Sequence, residues 1–129
     1  LVQISSPDGT LSLDHLGAFS VRDAHAWLER LPGIGRKVSS AVLNFSTLQK
    51  PTLVIDTHHL RILKRLKIVD AKWNFTQTHD CVMPRLPSHW KAKDCDDHHT
   101  LMKRHGQEIC RHSRPICESC PLKELCPSS

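Results

Sequence analysis

Residues 28–43, LERLPGIGRKVSSAVL, place Pro32-Gly33-Ile34-Gly35 between two segments whose apolar residues recur at helical spacing. Upstream, Ser20 is a good N-cap with Asp23 three residues on. Ala24, Trp27, Leu28 and Leu31 then form one apolar stripe that must stop at Pro32-Gly33. Downstream, a helix is predicted from about Gly35 through Val38, Ala41, Val42 and Phe45, with Pro51 breaking the chain again.

Working outward, the Pro-Asp-Gly turn at Pro7 to Gly9 predicts a short helix over Leu11 to Phe19. Asp56 or Thr57 can cap a further helix with Leu60, Leu63, Leu66 and Ile68 along one face. Another is predicted within Phe75 to Leu86, and a last one from about Cys95 to Glu108. Strand signals are scarce: there is no Tyr, aromatics are few, and no period-2 alternation is sustained. The fold class is all-α. The expected division is a helical part, residues 1–94, holding the hairpin at about 20–45, and a C-terminal part, residues 95–129, holding one helix and a cysteine loop.

The chain has 129 residues, of which 39% are hydrophobic, so one compact domain or two small lobes can bury a core. The longest apolar run falls short of the roughly 20 residues that span a bilayer, and LVQISSPDGT does not read as a signal peptide. A cytoplasmic, DNA-associated protein with no membrane partner is the expectation. Net charge is +5 and pI about 9.0, a balance that favours anionic partners, nucleic acid above all, or reflects only a basic surface.

Gly33 and Gly35 have no side chain to hold a ligand off the backbone. The amides of Gly33, Gly35 and Arg36, at the opening of a helix, lack intrahelical acceptors. With the positive dipole end they make a seat for a phosphate, and Arg36 can add charge. The pattern resembles the helix-hairpin-helix motif, which grips the DNA backbone without reading sequence; the plain alternative is a glycine-containing turn. Lys37 sits in the first helical turn beside Arg36, where the dipole and the like charge disfavour a cation and favour an amine able to attack carbon. It reads equally well as another phosphate contact. The segment VIDTHHLR delivers Asp56 to a helix start, where a carboxylate serves as an N-cap. Near a reacting sugar it could also stabilise oxocarbenium character or assist proton transfer.

Six cysteines in a short chain first suggest a disulfide scaffold, but the first 80 residues contain none. Four fall in the run Cys110-x6-Cys117-x2-Cys120-x5-Cys126, which reads as one metal site in a reducing compartment. Zinc ribbons pair two short C-x2-C hooks across a longer gap, whereas these ligands lie in one compact loop. That spacing argues for a [4Fe-4S] cluster, with zinc the alternative. Arg111, His112 and Arg114 in the same loop can reach phosphates or simply be solvated. Cys81 and Cys95 read as ordinary buried or half-buried thiols.

Together, LPGIGRKVSSAVL, VIDTHHLR and the four-cysteine loop resemble, in order, the endonuclease III branch of the helix-hairpin-helix glycosylase superfamily, over roughly Ser20 to Pro127. DDHHTLMKRHGQEIC is similar to the helix that leads into the cluster. The resemblance implies a partial helical barrel with a C-terminal iron–sulfur loop. It implies a bifunctional DNA glycosylase and abasic-site lyase acting on a flipped-out, oxidised pyrimidine. Lys37 would be the nucleophile at C1′ and Asp56 its electrostatic and proton-transfer partner. Relatives that excise adenine opposite oxidised guanine lack the lysine, so that specificity is disfavoured. Family members carry further helices before this segment, so apolar helix faces are expected to stand exposed or to meet a partner. A non-catalytic DNA-binding fragment and a zinc-stabilised structural module are the competing readings.

Overall fold

The computed structural model describes residues 12–128, and within them every regular element is helical. The turn at Pro7 to Gly9 and Leu11 lie outside the described residues. The first described element is a 3-10 turn, Asp14–Ala18, which sinks Leu16 completely into the interior.

Five α-helices come after it. α1 is Val21–Glu29, and its cap is Ser20, whose hydroxyl accepts from the Asp23 amide. α2 is Arg36–Phe45, opened by Gly35 without a side-chain cap. α3 is Thr57–Arg65, capped by Asp56. α4 is Phe75–Val82, opened by a capping box between Asn74 and Gln77, and a 3-10 turn over Met83–Arg85 extends it. α5 is the long helix Ala92–Glu108, starting three residues ahead of the expected Cys95.

The expected stripe on α3 needs correcting. Leu63 is buried and Leu60 and Leu66 are half-buried, but Ile68 is 44% exposed and lies beyond the helix. His59 and Ile62 share the buried face instead. The reason is local: Lys67 takes a left-handed φ of 58°, with its amide on the Lys64 carbonyl and the Ile68 amide on the Leu63 carbonyl. This closes the helix in the manner usual for a glycine. With lysine at that position the signal is invisible in sequence.

Two apolar clusters form the interior. One gathers Leu16, Ala24, Leu28 and Leu43 between α1 and α2. The other gathers Leu53, Ile55, Leu63, Val69, Val82 and Cys95, so it joins α5 to α3, to α4 and to the connector that leads into α3, residues 51–55, across residues 94 and 95. α5 packs chiefly on α3 at Gly106, where an added Cβ would stand 2.6 Å from the His58 Cβ. α2 leaves Val38 and Phe45 exposed, and α5 leaves Leu101 exposed.

Candidate active site and metal centre

Beneath the Pro32–Gly35 turn lies a closed ring of hydrogen bonds. Arg36 donates to His79 Nδ1 at 3.2 Å, and His79 Nε2 donates to Thr52 Oγ1 at 2.8 Å. The Thr52 hydroxyl then donates to His25 Nε2 at 3.0 Å, and His25 Nδ1 to Ser39 Oγ at 2.7 Å. The Ser39 hydroxyl reaches Glu29 at 3.2 Å, and Glu29 pairs with Arg36 at 3.0 Å. Every donor finds an acceptor only if both imidazoles are neutral. Burial, followed by the charge of Arg36, holds His25 down to about 4. Burial, followed by His25 and Arg36, holds His79 down to about 3. The ring ties α1, α2, the connector and α4 to one another.

This ring decides the place of Arg36. Its side chain is 16% exposed, and besides Glu29 it pairs with Asp80 on α4. The guanidinium of Arg36 thus clamps α2 to α1 and α4. Gly33 and Gly35 are exposed, and a Cβ at either would meet nothing within 4 Å, so the backbone there is open to approach. Gly33 also holds a left-handed φ of 80°, which glycine adopts without penalty.

Lys37 is exposed at the start of α2, its Nζ 5.6 Å from the centre of the Phe75 ring on α4. Asp56 is 8% exposed, and its Oδ1 accepts from the His59 amide at 2.9 Å. Both residues line one groove of about 480 Å³ that also has Thr57, His58, His99 and Lys103 on its walls. The apolar face of α2, from Val38 to Phe45, forms one side of it. An amine and a carboxylate brought by two helix openings to one groove can serve as nucleophile and electrostatic partner.

The four cysteines Cys110, Cys117, Cys120 and Cys126 line a single cavity of about 70 Å³. A water-sized body needs about 10–15 Å³ of such space, so the cavity has room for several atoms among the sulfurs. Among the described residues, no group of three or more His, Cys, Asp or Glu side chains is drawn together tightly enough to hold a metal ion. A donor set of thiols around a multi-atom space suits an iron–sulfur cluster. N–H donors also reach the sulfurs: Arg65 to Cys110 Sγ at 3.3 Å and the Leu122 amide to Cys120 Sγ at 3.4 Å. Such bonds orient and tune cluster ligands.

Two residues that sequence reading passed over hold this loop. Arg61 donates to the carbonyls of Gly106 and Cys110, each at 2.8 Å. Arg65 donates to the carbonyls of Arg111 at 2.6 Å and His112 at 3.0 Å. Spaced one helical turn apart on α3, they could have been suspected from that spacing alone, but no sequence signal names carbonyls as their targets. Arg111 and Arg114 are exposed, and Arg111 donates to the Arg114 carbonyl at 3.1 Å. Cys81 is half-buried and Cys95 buried.

No family model matches the chain. Endonuclease III of Escherichia coli strain K12 is 37% identical over 106 residues, 82% of this chain and 47% of that protein. Endonuclease III of Treponema pallidum strain Nichols is 35% identical over 104 residues, 81% of this chain and 46% of that protein. Among solved structures, a non-covalent endonuclease III–DNA complex aligns with a TM-score of 0.67 and 29% identity, covering 81% of this chain and 46% of that one. A trapped endonuclease III–DNA covalent intermediate aligns with the same values. The chain spans about half the length of the relatives it matches. By sequence and by fold, the chain belongs to the endonuclease III-like family.

Proposed function

We propose that this protein acts in DNA base-excision repair, as a bifunctional DNA N-glycosylase and abasic-site lyase on oxidised pyrimidines in double-stranded DNA. The observation that carries this reading is that Lys37 and Asp56, at the openings of α2 and α3, line one groove. The solved relatives were captured with DNA, one of them as a covalent intermediate, which is the kind of species an attacking amine forms.

On this reading the open backbone at Gly33 and Gly35 receives a phosphate, and Arg111 and Arg114 add contacts from the cysteine loop. The flipped nucleotide enters the groove. Lys37 Nζ attacks C1′ of the sugar and the base departs with the bonding pair. Asp56 faces the positive character that develops on the sugar while its Oδ1 stays anchored to the His59 amide. A proton passes from the Lys37 nitrogen to O4′, the C1′–O4′ bond breaks as the ring opens, and the resulting Schiff base between Lys37 and C1′ permits elimination at the 3′ side. Cys110, Cys117, Cys120 and Cys126 would hold a [4Fe-4S] cluster, which when bound cross-links the loop and supplies no step of the reaction.

A cytoplasmic location with the DNA accompanies this reading; no helix among the described residues is long and apolar enough to cross a membrane. Because the chain spans about half of its relatives, a DNA-binding protein without catalysis is the second reading. Borohydride trapping on abasic and oxidised-pyrimidine duplexes separates the two. A covalent adduct is expected from the wild-type chain and none from Lys37→Ala. Salt-dependent duplex binding with no wild-type adduct would sink the catalytic reading.

A further inference from the structure

We propose that His99 on α5 is the base that removes the C2′ proton in the elimination step, an inference that rests on the lyase reading above. Once Lys37 is bound to C1′, its nitrogen is committed to the Schiff base and a second group must accept the proton. Asp56 already spends Oδ1 on the His59 amide. The groove offers two imidazoles, His58 and His99, and their hydrogen bonds set them in opposite tautomers.

His58 Nδ1 faces the Arg61 guanidinium at 3.1 Å, and a guanidinium can only donate. The neutral His58 ring therefore carries its proton on Nε2 and has no free lone pair. His99 Nδ1 faces the Val54 carbonyl at 2.8 Å, and a carbonyl can only accept. The neutral His99 ring therefore carries its proton on Nδ1 and leaves Nε2 as a bare lone pair. The Val54 bond fixes the ring to the same connector that delivers Asp56, two residues on. Phe45 packs on the ring with centroids 5.2 Å apart. Held on these two sides and half-buried, His99 lines the groove that holds Lys37. The charged and titratable groups sharing that groove are Lys37 from α2, Asp56 and His58 from the start of α3, and Lys103 from α5. Asp56 offsets the imidazolium charge that the step creates.

The step balances without an outside reagent. His99 Nε2 takes the C2′ proton, and the C–H pair forms C1′=C2′ as the iminium pair moves onto the Lys37 nitrogen. That nitrogen pair then restores C1′=N, the C1′=C2′ pair shifts to C2′=C3′, and the C3′–O bond breaks. The phosphate leaves with the bonding electrons.

The test compares wild type, His99→Asn and His99→Gln on abasic-site duplex, scoring borohydride trapping and strand cleavage separately. Asparagine keeps an N–H for the Val54 carbonyl while removing the base. Normal trapping certifies that a variant folds and forms the Schiff base. Cleavage is expected to fall by roughly 10²–10⁴-fold with trapping unchanged, the range for loss of a positioned base. Added imidazole is expected to restore part of the cleavage. Equal cleavage in variant and wild type overturns the inference and leaves the lyase reading intact. Loss of trapping and cleavage together in both variants also overturns it, making His99 structural. A wild-type chain that traps nothing overturns the lyase reading, and this inference with it.

Discussion

The hairpin of α1 and α2 and the cysteine loop both present backbone and basic groups at the surface, yet they are held in opposite ways. The hairpin stands on its own apolar cluster and on a ring of hydrogen bonds in which every group has its partner. From residue 111 to 128 the loop has no buried residue, and its regular structure is two three-residue turns. It is fixed from outside, by Arg61 on the Cys110 carbonyl where it begins, by Arg65 on the Arg111 and His112 carbonyls, and by the Ser128 hydroxyl on the Arg65 carbonyl. A helix pair can bury a stripe and satisfy its own amides; a short irregular loop cannot, because ordering each residue costs about 1–2 kcal/mol of entropy with no burial to offset it.

The contrast can be broken first with acid. His25 on α1 and His79 on α4 titrate near 6.5 when unfolded but at about 4 and about 3 in the ring beneath the hairpin. The unfolded chain therefore takes up protons first, and stability falls as pH drops below 6.5, each imidazole contributing a slope of up to about 1.4 kcal/mol per pH unit. From these two shifts, urea unfolding followed between pH 6.5 and 4 should show a loss of about 5–6 kcal/mol. A flat profile would mean that the ring tolerates charge and that the hairpin is held by its apolar cluster alone.

Next, Cys117→Ser should release the loop and leave the hairpin intact. Proteolysis at Arg111 and Arg114 is expected to accelerate roughly a hundredfold, or about 3 kcal/mol of local stability, with amide exchange in α1 and α2 unchanged. Unaltered cleavage would show that Arg61 and Arg65 suffice. The smallest effect sharpens the hairpin side. Gly33→Ala meets no atom, so its cost is the left-handed φ alone, about 1 kcal/mol in the urea midpoint. Gly35→Ala, at an ordinary φ of −101° and equally open, serves as the control and should cost markedly less.

Much of the candidate site was legible because its signals are local. Ser20, Gly35 and Asp56 stand where capping and turn chemistry place them, and Lys37 and Asp56 were singled out from their positions at helix starts. Arg36 was read by the same logic, as a charge beside a phosphate seat, and the fold adds partners that logic could not name. Glu29 and Asp80, 7 residues before it and 44 after it, pair with the guanidinium. His99 had no local signal at all, since its meaning depends on the Val54 carbonyl, 45 residues away.

By itself the sequence determined an all-helical chain, the hairpin turn, the helix caps and the four-cysteine run. Each follows from dihedral preference, hydrophobic period or ligand spacing over a few residues. Only the tertiary structure decided that Lys37 and Asp56 share a groove with His99, that Arg36 is a clamp, and that α3 holds the cysteine loop through Arg61 and Arg65. Those are outcomes of polar partners finding one another across tens of residues, where the requirement is that every buried donor meet an acceptor. The arrangement that meets it is a property of the packed helices as a set.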